Sequence, residues 1–473
     1  MNKDLTVGKP SQVLWQFCLP MFGSIIFQQL YNIADSLVAG KFIGENALAA
    51  VGNSYEITLI FIAFAFGCNI GCSVIVSRYF GAKDYDEMKT SVYTSLIGSA
   101  VLCAVLMLIG LVGCHSLLEL INTPEEILAD SSLYLDIYVL GLPFMFFYNI
   151  ATGIFSALGD SKTPFYFLAV SSLSNIGVDI LFVAGLKMGV AGVAWATFLC
   201  QGCELRAGHG GGVPPHRRLQ IQEQGGAVLL EHAGQGGHGR HPQHPAAELR
   251  LCGQHHPAER HQHLWCQRHC RLLCSRQAEQ HGHHLLHHAG QRHSNYTSQN
   301  MGAGKMDRVH KGFGAGRNLV WIICVPIVLL YFFFGRFLLL LFMNDPQGPA
   351  IDTGMLFLRI LSPFYFVVSL KLVTDGILRG CGMMVRFMIA TFSDLILRVG
   401  IAIVLSSTAL GSTGIWMAWP VGWCIGTGLS LVFYFAAIRK VLAESPAKAE
   451  AEGEAAEARA EAEFAADAEM EAL

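Results

Sequence analysis

Long apolar runs, each broken by a short polar or charged stretch, recur along most of this 473-residue chain. Those near 15–42, 56–79, 91–114, 133–158, 164–187 and 188–203 predict five membrane spans and the start of a sixth. Those near 319–343, 355–378, 385–409 and 412–437 predict four more. A helix needs about 20 mainly apolar residues to cross a bilayer core, and it satisfies its own backbone polar groups there. The first run, Trp15 through Val38, is long enough to span rather than to act as the apolar stretch of a cleavable signal. Between 203 and 293 the pattern collapses. Seventeen of the nineteen histidines fall there, among Gln, Arg and Gly.

The genetic code offers a test of that window. His (CAY) and Gln (CAR) codons read one base later, with C following, become AYC and ARC, which encode Ile or Thr and Asn or Ser. Gln254-His255-His256 then reads Asn/Ser, Ile/Thr, Ile/Thr. Trp265-Cys266 must contain TGGTG, so the shifted codon beginning inside Trp265 is a forced Gly. Gly210-Gly211-Gly212-Val213 becomes compatible with Val, Val, Val, Phe, and Ala289-Gly290-Gln291-Arg292-His293 with Leu-Gly-Asn-Gly-Ile. Residues 203–293 are therefore read as an out-of-frame membrane segment, expected to form irregular, poorly packed chain on the cytoplasmic side. The shifted reading supplies the end of the sixth span and two more, for a total of twelve.

The competing reading is a metal-binding loop built on Cys266, Cys270 and Cys274 with paired histidines. Its spacing matches no standard zinc module, and nothing around it provides a core. Nucleic-acid binding is disfavoured because aromatics to stack on bases are nearly absent. Composition supports a membrane class even with the polar window included: 52% hydrophobic, 14% charged, mean hydropathy +0.43. The fourteen cysteines show no framework outside the window, and Cys68, Cys103 and Cys324 read as small reduced core residues.

Charge sets an orientation. Lys3, Lys9, Arg78, Lys83, Lys89, Lys162, Lys305, Arg308, Lys311, Arg379, Arg386, Arg439 and Lys440 all fall on one side, which the positive-inside rule makes cytoplasmic, with both termini. The chain also repeats itself. Ser77 through Ala82 matches Ser298 through Ala303; Leu142-Pro143-Phe144 answers Ser362-Pro363-Phe364; Gly153, Gly159, Gly189, Gly192 and Ala196 answer Gly376, Gly382, Gly411, Gly414 and Ala418. Offsets of 220 to 223 imply two six-helix halves in one orientation, an arrangement suited to alternating access. The expected organisation is an all-α polytopic membrane protein: an N-terminal lobe over 1–202, the window over 203–293, the remaining C-terminal lobe over 294–441 and a solvated Ala/Glu-rich acidic tail over 442–473.

Leu19-Pro20, Tyr31 through Asp35, Phe42-Ile43-Gly44, Ala47 through Gly52, Gly81-Ala82, Ala157 through Pro164, Asn175 through Asp179, Gly192 through Thr197 and Ser298 through Ala303 together resemble multidrug and toxic compound extrusion (MATE) transporters. The likeness covers 10–202 and 294–440 and fails at the window. It implies a cation and proton site in the N-terminal lobe at Asp35, Asn175, Asp179 and Thr197, with Pro20 helping the first helix bend. Tyr31 precedes Asp35 by one turn, and Asn175 precedes Asp179 by one turn, so each pair shares a helix face. Two carboxylates in low dielectric raise the pKa of at least one, and protonation or Na+ relieves the repulsion. Structural hydrogen bonding is the plainer role for any of these residues. In the second half Asp375, Asp394 and Arg398 are further intramembrane site candidates, ranked lower: Asp375 lies near the end of its span, where solvation is the plainer reading, and Asp394 and Arg398, four apart, are placed to pair on one face. Met145 and Phe146 are candidates for lining a drug cavity, with core packing the plainer reading.

The leading function is export of cationic amphipathic molecules across the cytoplasmic membrane, driven by Na+ or H+, with the chain as written defective. A lipid-linked precursor flippase and a non-transporting membrane metal sensor are the alternatives. No enzyme motif, ATP-binding Walker A sequence or cofactor site is read; the bilayer is the expected partner, and oligomeric state stays open. Reading codons 195 to 300 in the shifted frame is expected to yield two apolar spans plus the end of the sixth. A stop codon, or a charged segment unable to span, would sink the frame shift.

Overall fold

The computed structural model describes residues 4–38, 42–43, 45–210, 288–340, 349–411, 413–436 and 438. The body of the window, with Cys266, Cys270 and Cys274, lies outside the described residues, as does the tail. Every regular element described is helical: α1 (Pro10–Val38), α2 (Glu45–Ala82), α3 (Tyr85–Leu120), α4 (Glu125–Leu140), α5 (Leu142–Ala157), α6 (Lys162–Ile180), α7 (Gly189–Gly210), α8 (288–302), α9 (Met306–Leu340), α10 (Pro349–Leu361), α11 (Tyr365–Gly380), α12 (Met384–Ser406) and α13 (Thr413–Ala436). Among the described residues seven helices are long and apolar enough to cross a membrane, or up to eight if the bent pair α4–α5 is one span. Val112 on α3 and Phe333 on α9 are 76% and 69% exposed, as are their apolar neighbours Leu108, Phe334 and Phe337 to a similar degree. Water would penalise such a surface, whereas hydrocarbon does not. The chain is an all-α polytopic membrane protein.

Proline and glycine punctuate both halves at matching places. Gly141 ends α4 and Pro143 sits in the first turn of α5, where the missing N–H costs nothing, and the pair bends by 49°. Ser362-Pro363-Phe364 forms a 3-10 turn that breaks α10 from α11 at the equivalent point. Left-handed backbone recurs at the repeat spacing, at Gly159 and Gly382, Gly189 and Gly411, and Lys83 and Gly304. After Gly159, the Asp160 carboxylate accepts hydrogen bonds from Lys162 N, Thr163 N and Thr163 Oγ1 at 3.0, 3.1 and 2.7 Å, which caps α6. Burial pushes this carboxyl up, but the bonds from Thr163 and Lys162 outweigh it and hold the group below its ordinary value.

Glycine also sets how closely helices meet. A β-carbon at Gly153 of α5 would sit 2.9 Å from the Asn69 carbonyl oxygen of α2; one at Gly376 of α11 would overlap the Gly290 carbonyl oxygen of α8, the repeat-related contact. The two halves then meet where α2 crosses α8. Gly81 lies against the Gln299 carbonyl and Gly302 against the Arg78 carbonyl, too close for any side chain. Ser298 Oγ donates to Val74 O at 2.6 Å and Gln299 Nε2 to Ala157 O at 2.6 Å across the same seam.

α8 corrects the expectation for the edges of the window. Residues 203–210 complete α7, and 288–293 form the first turns of α8 rather than irregular chain. Every residue from Ala289 to Asn300 is buried. Small residues permit this: Ala289 and Gly290 admit α11, while Gly312 and Gly316 of α9 make room for Tyr296 and His293. The enclosure is imperfect. His293 Nε2, Ser294 Oγ, both polar atoms of Asn295 and Thr297 Oγ1 lack partners, each a cost of about 1–3 kcal/mol. Gln291 donates to Asn69, and Arg292 Nη1 to Ser156 Oγ at 2.6 Å, its guanidinium 4.8 Å above the Phe17 ring. The shifted frame is compatible with Gly at the Arg292 position, matching Gly71 in the first half, and with Ile at the His293 position. It would remove the buried guanidinium and the unpartnered imidazole together.

Substituting Ala at Gly81 or Gly302 is expected to destabilise the fold by about 1–3 kcal/mol through overpacking. Gly98→Ala, in open space on α3, is expected to be neutral or stabilising by up to about 1 kcal/mol. Thermal unfolding in detergent checks this; equal effects at all three positions would contradict the close crossing.

Candidate functional site

α6 presents two chemically distinct faces. Val170, Leu173 and Ile180 are exposed on the outer one; Ser171, Ser172, Asn175 and Asp179 are buried on the inner one. The polar residues recur at helical spacing, so Asn175 and Asp179 stack one turn apart. Asp179 is fully buried, and directly after it the helix widens into a π turn, Leu181–Gly185, a distortion common near functional sites. α7 closes on this face: Ser171 Oγ donates to Cys200 O at 3.4 Å, and Thr197 is buried with its hydroxyl donating to Val193 O at 3.1 Å. α1 packs along α6, with Phe27 and Phe165 rings 5.9 Å apart and Gly23 receiving Phe165. Tyr31 and Asp35 ride in the last turns of α1, but their side chains lie outside the described ones.

α1, with Pro20 inside it, packs against both halves. Leu14, Phe17, Cys18, Met21 and Ile25 join the core of the second half, while Gly23 and Phe27 rest on α6 of the first. Proline cannot donate to the carbonyl one turn earlier, which leaves the helix easiest to bend at this point. A buried carboxylate, an amide and a hydroxyl along one face offer hard oxygen ligands, suited to a proton or an alkali cation rather than to a soft metal. Among the described residues no group of three or more His, Cys, Asp or Glu stands together.

The second half is built differently. Asp375 is buried, not solvated as its position near the end of a span suggested. Lys371 Nζ, one turn earlier on α11, lies 2.7 Å from Asp375 Oδ2, and Ser430 Oγ of α13 donates to Asp375 Oδ1 at 2.6 Å. A charge pair this enclosed persists because each partner satisfies the other. Asp394 and Arg398 pair on α12 at 3.1 Å, with the guanidinium 4.7 Å above the Trp419 ring. Gly426 separates the two pairs; a β-carbon there would lie 2.9 Å from Lys371 Cε and 3.0 Å from Asp394 Cβ. Arg379, also buried, stacks 4.9 Å over Phe387. The cluster thus holds three basic groups and two acids. Lys371 and Arg379 are the residues that sequence reasoning missed. Lys371 sits one turn from Asp375 inside an apolar run, a signal the sequence carries, whereas Arg379 reads in sequence as one of the charges outside the spans. Met145 and Phe146 take the plainer role: both pack in the core of the first half with Phe61, Cys103, Leu106 and Leu142.

Lys371→Met, which strands the Asp375 carboxylate, is expected to destabilise the protein by about 3–5 kcal/mol. Lys371→Met with Asp375→Leu is expected to recover most of that. A double variant as unstable as the single one in thermal unfolding would refute the pairing as the reason for the lysine.

Comparison with known proteins places the chain. A family model described as MatE matches residues 20–181 and 294–404, on either side of the window. The chain is similar to the probable multidrug resistance protein YoeA of Bacillus subtilis, 32% identical over 41% of this chain and 43% of that one, so it spans less than half of that relative's length in the match. It is 25% identical to the probable multidrug resistance protein YpnP of the same organism over 92% of this chain and 94% of that one. A FAD transporter of Shewanella oneidensis is 24% identical over 39% of this chain and 42% of its own. Among solved structures, an outward-facing multidrug resistance MATE family transporter of the MOP superfamily shares the fold with a TM-score of 0.80, at 20% identity over 93% of this chain and 98% of that one. With the family model matching more than half of its length, in segments from both halves, the chain belongs to the MatE family of membrane transporters.

Proposed function

We propose that this protein exports cationic amphipathic small molecules across the cytoplasmic membrane by alternating access, in exchange for Na+ or H+. The observation that carries the reading is Asp179, fully buried within the candidate span Lys162–Gly185 on the polar face that it shares with Asn175, with Thr197 buried on the adjoining α7. An acid in such a place is costly unless its charge is used or compensated. Asp35, in the last turns of α1, brings a second carboxyl to the helix that packs along α6. Two carboxyls facing one cation or proton make a switch: occupancy removes their repulsion, and the change reaches the seam between the halves through α1, which Pro20 lets bend. Basic residues gather at the end carrying Arg78, Lys83, Lys305 and Arg308, which supports a cytoplasmic location for that end and for the N-terminus.

The balance of charge in the second half favours a second reading, an anionic cargo. Lys371, Arg379 and Arg398 outnumber Asp375 and Asp394, and one relative is named a FAD transporter. A lipid-linked phosphate cargo would use the same excess. The membrane metal sensor rests on residues outside the described ones and gains no support.

The test uses inverted vesicles from cells expressing the frame-restored protein, with a cationic dye and FAD offered separately under a Na+ or H+ gradient. Dye transport that Asp35→Asn and Asp179→Asn each reduce to background, at unchanged membrane levels, is the expected result. The amide keeps the shape and removes the titration. Wild-type dye transport in both variants would overturn the assignment, and FAD transport without dye transport would select the second reading. The chain as written is expected to confer no drug resistance at matched levels, and equal resistance from both versions would show the window to be tolerated.

A further inference from the structure

The segment before α1 is fastened to the opposite half of the molecule. Leu5 has no exposed surface and joins the core that contains Tyr296, Val309 and Leu319. Its N–H donates to Gln299 Oε1 at 3.0 Å, and its carbonyl accepts from Asn300 Nδ2 and Arg308 Nη2 at 3.4 and 3.1 Å. Lys305 Nζ donates to both Thr6 O and Thr6 Oγ1 at 3.1 Å, and Arg308 Nη1 to Gly8 O at 2.6 Å. Arg308 is itself oriented by Nε donating to Asn300 Oδ1 at 2.8 Å. The segment keeps its shape through Thr6 N donating to Asp4 Oδ1 at 2.8 Å and through Gly8, whose positive φ turns the chain into α1.

Every donor and acceptor on the far side comes from α8, the turn that follows it or the start of α9, beside the Gly81–Gly302 crossing. The Gln299 side chain holds Leu5 with its oxygen and Ala157, at the end of α5, with its nitrogen. One residue therefore joins the N-terminal segment, the first half and the second half at one end of the bundle. We propose that residues 4–8 form a clasp that keeps this end closed, with Lys305 and Arg308 as its positioning residues, and that the clasp must unfasten before α2 and α8 can part. Two charged donors holding the carbonyls of Leu5, Thr6 and Gly8 give the clasp the strength to bias the equilibrium between the two access states of the proposed transport cycle, and its exposure at Gly8 lets water release it.

The experiment follows opening directly and needs no transport. In an otherwise cysteine-free full-length chain, a single cysteine replaces Ser298, buried at the crossing, or Ser407, exposed at the far end of α12. Labelling by a membrane-impermeant maleimide is timed in purified, monodisperse protein. Lys305→Gln with Arg308→Gln is expected to raise the rate at position 298 about ten-fold and to leave that at 407 unchanged or lower. Arg308→Lys, which keeps charge but loses the fork, should fall between, and Leu5→Ala should act in the same direction. An unchanged rate at 298 in well-folded variants would overturn the clasp. So would equal rises at both positions, which report general loosening.

Discussion

The crossing of α2 and α8 at Gly81 and Gly302 governs the rest of the architecture. Two helices can approach to backbone contact only where neither carries a side chain, and these glycines are equivalents in the two halves. Their contact joins the two halves backbone to backbone. It also brings the ends of α5 and α8 within reach of one another, so that Gln299 can bond Ala157. From there α8 runs inward with protein on every side, and the helices around it inherit their spacing.

A shared architecture carries unlike chemistry in its two halves. The first places Asn175, Asp179 and Thr197 on inner faces, with Asp35 on the neighbouring helix. The second carries its own cations, since Lys371 already occupies Asp375 and Arg398 occupies Asp394. A site filled by a tethered ammonium does not respond to ion gradients in the way an acid-only site does. The duplication thus leaves one half with buried acids and the other with acids paired to cations of its own.

Much of this was legible because lipid imposes simple rules. Spans appear as long apolar runs, and the breaks at Pro143 and Pro363 announce themselves by residue type. Asp179 stands out because an acid in such a run demands an explanation. α8 was harder to read for a physical reason: a helix surrounded by protein has no lipid to face, so Ser294-Asn295-Tyr296-Thr297-Ser298-Gln299-Asn300 need not be apolar. Its polar groups register as helix only once the partners on α2, α5 and the N-terminal segment are known. The Lys371–Asp375 pair was missed for the converse reason, because a charge near the end of a span reads as solvated until neighbouring helices are seen to cover it.

Lys83 and Gly304 show how such a duplicated frame diverges at a single residue. Both adopt the left-handed turn that joins one helix to the next, φ 61° and 69°. For glycine this is free, whereas for an L-residue it costs roughly 1–2 kcal/mol. The first half has accepted that strain and gained an ammonium at the bundle's basic end. The second half keeps the relaxed turn and moves its ammonium one residue along, to Lys305. Backbone comfort and electrostatic address compete for the same turn, and each copy of the ancestral unit has settled the competition in its own favour.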